Sequence, residues 1–229
     1  MHPPRVRLLA PWLLAACVFA ANGASALSFQ ADFRNSTYDT QPSDTFASLL
    51  AQHQSETLIQ SNVLTGFENI ANTVHASGVT NDYSILLTTT ITFSYSGHFS
   101  FQVGTDWGRG GAAGVFDGSN NLVSETVYDR DLWWAYDWND PDVFTTELDV
   151  IAGETYTFSW VGFEGCCGGS STVRFAVDGG AYQAVNSTNL TPFTSSSSIP
   201  EPGTGASVGL GVAALSVLRR KQRRGVRQA

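Results

Sequence analysis

Fifteen residues, from Tyr128 to Asp142, concentrate the side chains in this chain best suited to holding a ligand. Asp129, Asp131, Asp137, Asp140 and Asp142 alternate there with Trp133, Trp134, Tyr136 and Trp138. Carboxylates supply the oxygen ligands that Ca²⁺ prefers, and flat aromatic rings stack on the apolar faces of sugars, so the combination points to a calcium-assisted carbohydrate site. A second stretch, Gly104 to Gly114, adds Asp106 and Trp107 in a glycine-rich setting. The expected glycan-binding set is therefore Trp107, Trp133, Trp134, Tyr136 and Trp138, with Asp106, Asp129 and Asp131 as candidate Ca²⁺ ligands and no cofactor otherwise required. The competing reading is a loop folded over the domain with its tryptophans in the core. The aspartate spacing is not that of an EF-hand loop, and consecutive residues of an extended chain point to opposite sides, so Trp133 and Trp134 cannot both face one ligand there.

Cysteine chemistry is confined to one place. Cys17 lies in a leader-like segment, leaving Cys166 and Cys167 as neighbours in Gly165-Cys-Cys-Gly-Gly169. Export would put them in an oxidising compartment with three outcomes open: a vicinal disulfide, an intermolecular bridge or two free thiols. Flanking glycines ease the distortion that a bond between neighbours imposes, which favours the first. Two adjacent sulfurs lack the spacer of a zinc site. Catalysis is the alternative function: Glu125 with Glu147 or Glu164 could serve glycoside hydrolysis, although no spacing singles them out. Gly108-x-Gly110-x-x-Ala113 precedes no helical pattern, so it is not read as a dinucleotide fingerprint.

These residues must be carried by strands. Tyr156, Phe158 and Trp160 alternate with polar residues before the cysteine turn, and Val173, Phe175 and Val177 alternate after it, the two-residue period of a half-buried sheet. Further strands are expected over 27–33, 83–95, 98–103, 112–116, 122–127 and 143–150, with turns at Asp117-Gly118 and Ala152-Gly153. Only Asp44 to Gln60 changes period: Phe46, Leu49, Leu50, His53 and Thr57 fall at helical spacing after a Ser43 or Asp44 cap. His53 reads there as an ordinary surface or packing residue. The expectation is an all-β, jelly-roll-like β-sandwich at 27–194 with one short helix near its N-terminus.

Both ends read as sorting segments. Arg5 and Arg7, the apolar run Leu8 to Ala21, and Ala24-Ser25-Ala26 have the order of a signal peptide cut after Ala26. At the other end, 195–229 holds a serine tract, Pro200-Glu201-Pro202, an apolar run Gly203 to Leu218, and a basic cluster from Arg219 to Arg227. Sixteen residues make a helix of about 24 Å, short against a hydrocarbon core of about 30 Å, which suits transient membrane insertion better than permanent anchoring. The basic cluster would stay cytoplasmic. Gly205-Ala-Ser-Val-Gly209 matches a nucleophile elbow in letters only, since it lies in this apolar tail. Between the two segments four arginines face 19 acidic residues, a formal charge of −15 over 27–198. Such a domain is repelled by nucleic acid.

The C-terminal segment, with Pro200-Glu201-Pro202, resembles a PEP-CTERM sorting signal. The resemblance implies exosortase as a partner and a Gram-negative bacterium that makes exopolysaccharide, with the protein at the cell surface or in the extracellular matrix. Gly97-x-Phe-x-Phe, Asp106, Val115-Phe-Asp-Gly118, Ala152-Gly153-x-x-Tyr156 and Phe163-Glu-Gly165 resemble, in order, the protective-antigen-type β-sandwich of flocculin adhesins. Calcium-dependent adhesins of that type carry two consecutive aspartates where this chain has Asp106-Trp107. Phe163 to Gly169 is similar to the CCXG group of PEP-CTERM proteins. Taken together, the expected role is a non-catalytic structural or carbohydrate-binding module, and the alternative a secreted polysaccharide hydrolase.

Overall fold

A computed structural model describes residues 27–76 and 78–195. The expected signal peptide and the sorting segment from residue 196 onward lie outside them. In chain order the elements are β1 (Ser28–Asn35), α1 (Phe46–Ser55), β2 (Leu58–Leu64), β3 (Ile70–Ala71), α2 (Asn72–His75), β4 (Tyr83–Thr92), β5 (Gly97–Trp107), β6 (Gly111–Phe116), β7 (Leu122–Tyr128), β8 (Leu132–Trp133), β9 (Phe144–Val150), β10 (Thr155–Glu164), β11 (Ser170–Val177), β12 (Gln183–Ala184) and α3 (Ser187–Leu190). One antiparallel sheet runs β2-β1-β4-β10-β6-β7. The second runs β12-β11-β5-β8, with β3 on β11 and β9 on β5. The molecule is an all-β, two-sheet sandwich.

Alternation puts the core between the sheets. Phe29, Phe33, Leu87, Phe158 and Trp160 enter it from the first sheet, and Phe99, Phe101, Val103, Trp107, Phe144 and Phe175 from the second. Phe101 stacks on Phe158 across the gap, with centroids 4.9 Å apart. The small residues of β6 make room for large neighbours. A Cβ at Gly111 would lie 2.5 Å from the Trp160 ring, and one at Gly114 would lie 2.8 Å from Phe46.

The single sizeable helix of the described residues, α1, follows the first strand. It packs Phe46 and Leu49 on the outer face of the first sheet against Ala112, Val161 and Phe163, which is why β10 is buried on both faces from Phe158 onward. Its cap is Thr45, one residue later than the sequence suggests: Thr45 accepts from the Ser48 amide while Ser48 accepts from Thr45. Asp44 instead gathers Tyr38, Gln41 and Ser48. The helix stops at Ser55, because Glu56 turns extended and 58–64 pairs with β1 as an edge strand. Helical spacing at Thr57 is overridden there by the ladder. His53 lies fully buried under this helix, with Nδ1 2.8 Å from Ser84 Oγ.

Of the two expected loops, the first proves to be mostly strand and the second gains a two-residue strand. β5 continues to Trp107 and β6 begins at Gly111, so 104–114 shrinks to the turn 108–110. Within 128–142, Leu132–Trp133 adds β8 to the edge of β5.

Candidate functional site

The site begins with a register. In the β5–β8 ladder Trp107 faces Leu132 and Asp106 faces Trp133, and directly opposed residues project to the same side. Trp107 and Leu132 therefore enter the core, where the Trp107 indole donates to the Ser170 carbonyl and Ser171 Oγ. Asp106 and Trp133 face outward together. Trp133 is 68 % exposed.

Around this pair the chain gathers carboxylates. A Cβ at Gly108 would lie 3.1 Å from Glu164 Oε1 and 3.9 Å from Asp131 Oδ1, which places both acids at the β5–β6 turn. Burial, then the negative charge of Asp131, push the Asp106 carboxyl above the ordinary aspartate range. Among the described residues no hydrogen-bond donor or cation reaches Asp106 or Asp131. Glu164 differs: it is only 3 % exposed and accepts the amides of Gly165 (2.7 Å), Cys166 (2.9 Å) and Gly108 (3.1 Å). Burial raises its pKa and those three amides oppose the rise. The adjoining turn closes a disulfide between Cys166 and Cys167. Cys167 holds a left-handed φ of 70°.

The remaining aromatics form a buttress beside the ridge. Trp134, only 3 % exposed, lies on Gly104, where a Cβ would stand 2.2 Å from its ring. Trp138 meets Trp134 at 4.5 Å, Tyr136 meets it at 5.1 Å, and the Arg174 guanidinium lies between Trp138 (4.0 Å) and Tyr182 (4.2 Å). Consecutive left-handed residues, Ala135 (φ 50°) and Tyr136 (φ 61°), turn the Tyr136 ring outward to 71 % exposure. Three of the loop's aspartates build the turn. Asp137 accepts from Asn139, Asp140 from the Asp142 amide, and Asp142 from the Trp133 amide and Arg130.

The structure therefore divides the expected residues. Trp133 and Tyr136 are presented to solvent and Trp138 is half-buried, whereas Trp107 and Trp134 are core and buttress side chains that no sugar could stack on. Asp106 and Asp131 come together, and Asp129 is exposed. Among the described residues no three His, Cys, Asp or Glu side chains gather into a group that could hold a metal ion. The carboxylates considered for hydrolysis each have partners of their own. Glu125 accepts the Phe46 amide at the N-terminus of α1, on the first sheet, while Glu147 stands 3.9 Å from His98 on the second. Sequence reasoning missed Glu164 as the amide-filled hub of this end, and missed Gly104 and Arg174 as the seat and clamp of the aromatic buttress. The signal for Gly104 was available in its place on the outward phase of β5.

Sheet order and ridge together define a β-sandwich with an aromatic and acidic ridge along one end. Residues 198–224 match the family model of the PEP-CTERM protein-sorting motif, so the chain carries the signal of an exported protein directed to exosortase. No curated protein sequence matches the chain. Similar solved structures include the PA14 sugar-binding domain from an RTX adhesin (12 % identity, 74 % of this chain and 98 % of that one, TM-score 0.45). The PA14 domain of the MpAFP antifreeze protein (13 %, 75 % and 92 %, TM-score 0.48) is another. A third is the epithelial adhesin 9 A domain from Candida glabrata in complex with Galb1-3GlcNAc (9 %, 74 % and 88 %, TM-score 0.47). Among the described residues no helix is long and apolar enough to cross a membrane, and the apolar run 203–218 lies outside them.

Proposed function

We propose that the exported domain is a non-catalytic glycan-binding module of the cell surface or extracellular matrix of a Gram-negative bacterium, associated with exopolysaccharide and released or retained through exosortase. The observation that carries this reading is the Trp133–Asp106 pair: an exposed indole beside carboxylates that no donor among the described residues satisfies. The indole offers a flat apolar face for a sugar ring, and the carboxylates accept from its hydroxyls. Phe163 to Gly169 ties the same end to the CCXG resemblance. A second reading adds Ca²⁺, since a divalent cation between Asp106 and Asp131 would relieve their mutual repulsion and bridge to sugar oxygens. Titration calorimetry of the full-length protein against a panel of bacterial polysaccharides, with and without chelator, tests both. Saturable binding without released reducing ends, weakened about tenfold or about 1.4 kcal/mol by Trp133→Ala, is the expected result. Loss with chelator would assign the cation. Release of reducing ends would favour the hydrolase, and absence of binding across the panel would count against the module.

A further inference from the structure

The turn that closes this end of the sandwich carries chemistry that glycan binding does not use. Cys166 and Cys167 are both exposed residues. Their Cα atoms are 3.8 Å apart, as chain neighbours must be. That is below the separation of about 4.4–6.8 Å at which disulfides usually form, and bonds outside it are more easily reduced. Cys167 and Gly168 follow one another at φ 70° and 81°. Glycine takes that conformation freely and cysteine does not, and the covalent ring constrains the turn together with the Cys167 amide on Asn81 Oδ1 (3.4 Å) and the Gly168 amide on the Thr80 carbonyl (3.2 Å).

This turn is also tied to the ridge. Two of the three amides that satisfy buried Glu164, those of Gly165 and Cys166, belong to it, and the third comes from Gly108, two residues beyond Asp106. On its far side Gly169 abuts the Asp106 carbonyl, where a Cβ would stand 2.2 Å away, and Ser170 pairs with Asp106 in the β5–β11 ladder. Asp106 in turn faces Trp133. A change in the turn therefore has a short, hydrogen-bonded route to the ridge on both sides.

We propose that the Cys166–Cys167 disulfide is a redox site whose co-substrate is a dithiol, and that its reduction loosens the Asp106–Trp133 ridge. The first thiolate of the dithiol attacks one sulfur and breaks the sulfur–sulfur bond, giving a mixed disulfide and one cysteine thiol. The second thiolate displaces the remaining protein sulfur. The reductant leaves as its own disulfide, having supplied two electrons and two protons, and Cys166 and Cys167 remain as thiols. Cys167 then leaves the left-handed region, the Cys166 amide turns from Glu164, and the Gly108 turn loses its fixed partner. The effect on ligand binding rests on the reading of the ridge as a glycan site, whereas the opening of the turn does not.

The test treats full-length protein with reduced and oxidised dithiothreitol at graded ratios, counts thiols by alkylation and mass spectrometry, and follows amide exchange over 104–110 and 164–170. Expected are two alkylated cysteines under excess dithiol, exchange at Gly108 and Cys166 at least tenfold faster, and full reversal on reoxidation. The Cys166→Ser/Cys167→Ser variant should exchange like the reduced protein. If it does not fold, the reduced wild-type protein alone decides the matter. A disulfide that resists excess dithiol, or reduction that leaves the exchange unchanged, overturns the proposal. Glycan affinity is measured in parallel. An oxidised protein that binds no glycan sinks the reading of the ridge while the exchange data still decide the redox site. Equal affinity before and after reduction overturns its coupling to the ridge.

Discussion

At the scale of single residues, the informative side chains are the polar ones the fold has buried. His53 is held neutral under α1: desolvation first, then the nearby Arg34 charge, lower its pKa to about 4, with Asp32 opposing. The unfolded chain, with an imidazole near 6.5, takes up the proton first. This residue's contribution is therefore complete above about pH 6.5 and is lost as the pH falls from there toward 4, by roughly 3 kcal/mol in all. Urea unfolding at pH 7.5 and pH 4.5 should show a drop that His53→Gln, which keeps a partner for Ser84, reduces by about 2 kcal/mol. An identical drop in both proteins would remove His53 from the account. Glu164 has the opposite sign, because its raised pKa makes the ionised form a cost as the pH rises. Glu164→Gln removes that cost but offers one acceptor oxygen where two now serve three amides, and its NH₂ group faces a donor. A net loss of roughly 1–3 kcal/mol is expected from the orphaned buried amide, measured by chemical denaturation at pH 7.

Between elements, the ridge depends on how closely a loop can lie on a strand. Trp134 sits in van der Waals contact with β5 only because position 104 has no side chain. Gly104→Ala forces the indole away, and with it Trp138 and Tyr136, which pack on it. Overpacking of this kind costs about 1–3 kcal/mol. The expected outcome is a stability loss in that range, accompanied by faster amide exchange over 134–142 and little change in β10. A substitution that lowers the melting temperature while leaving 134–142 protected would show that the loop is held by its aspartate turns instead. Arg174, clamped between Trp138 and Tyr182, gives the buttress its second support from β11.

For the whole molecule, the dominant feature is charge. The four arginines among the described residues are all engaged: Arg109 with Asp39 and Asp82, Arg130 with Asp142, Arg34 with the Gln54 and Glu56 carbonyls, and Arg174 between aromatic rings. The excess of carboxylates is left to repel itself across one compact body. Raising ionic strength from about 0.01 to 0.15 M shortens the screening length from about 30 to 8 Å, so the melting temperature should rise by a few degrees. A fall, or no change with sodium chloride, would mean that local pairs outweigh the net repulsion.

Most of the β framework could be read from the chain itself, because alternation is a local property: a strand such as 155–164 declares its buried face by which residues are large and apolar. The C-terminal sorting segment was equally open to reading, since charge, apolar length and the Pro200-Glu201-Pro202 motif are linear features. The density of acids and aromatics marked fifteen residues that carry Trp133, Asp131 and the aromatic buttress. What they do was decided only by packing. A two-residue strand has no periodicity of its own, so the outward phase of Trp133 came from pairing with β5, and the same register sent Trp107 inward. Trp134 became a buttress because Gly104 lies beneath it, and 58–64 became a strand because β1 offered it an edge. Glu164 acquired its three amides from turns 56 residues apart in the chain. Such assignments depend on which distant backbone arrives alongside, a relation no local pattern encodes.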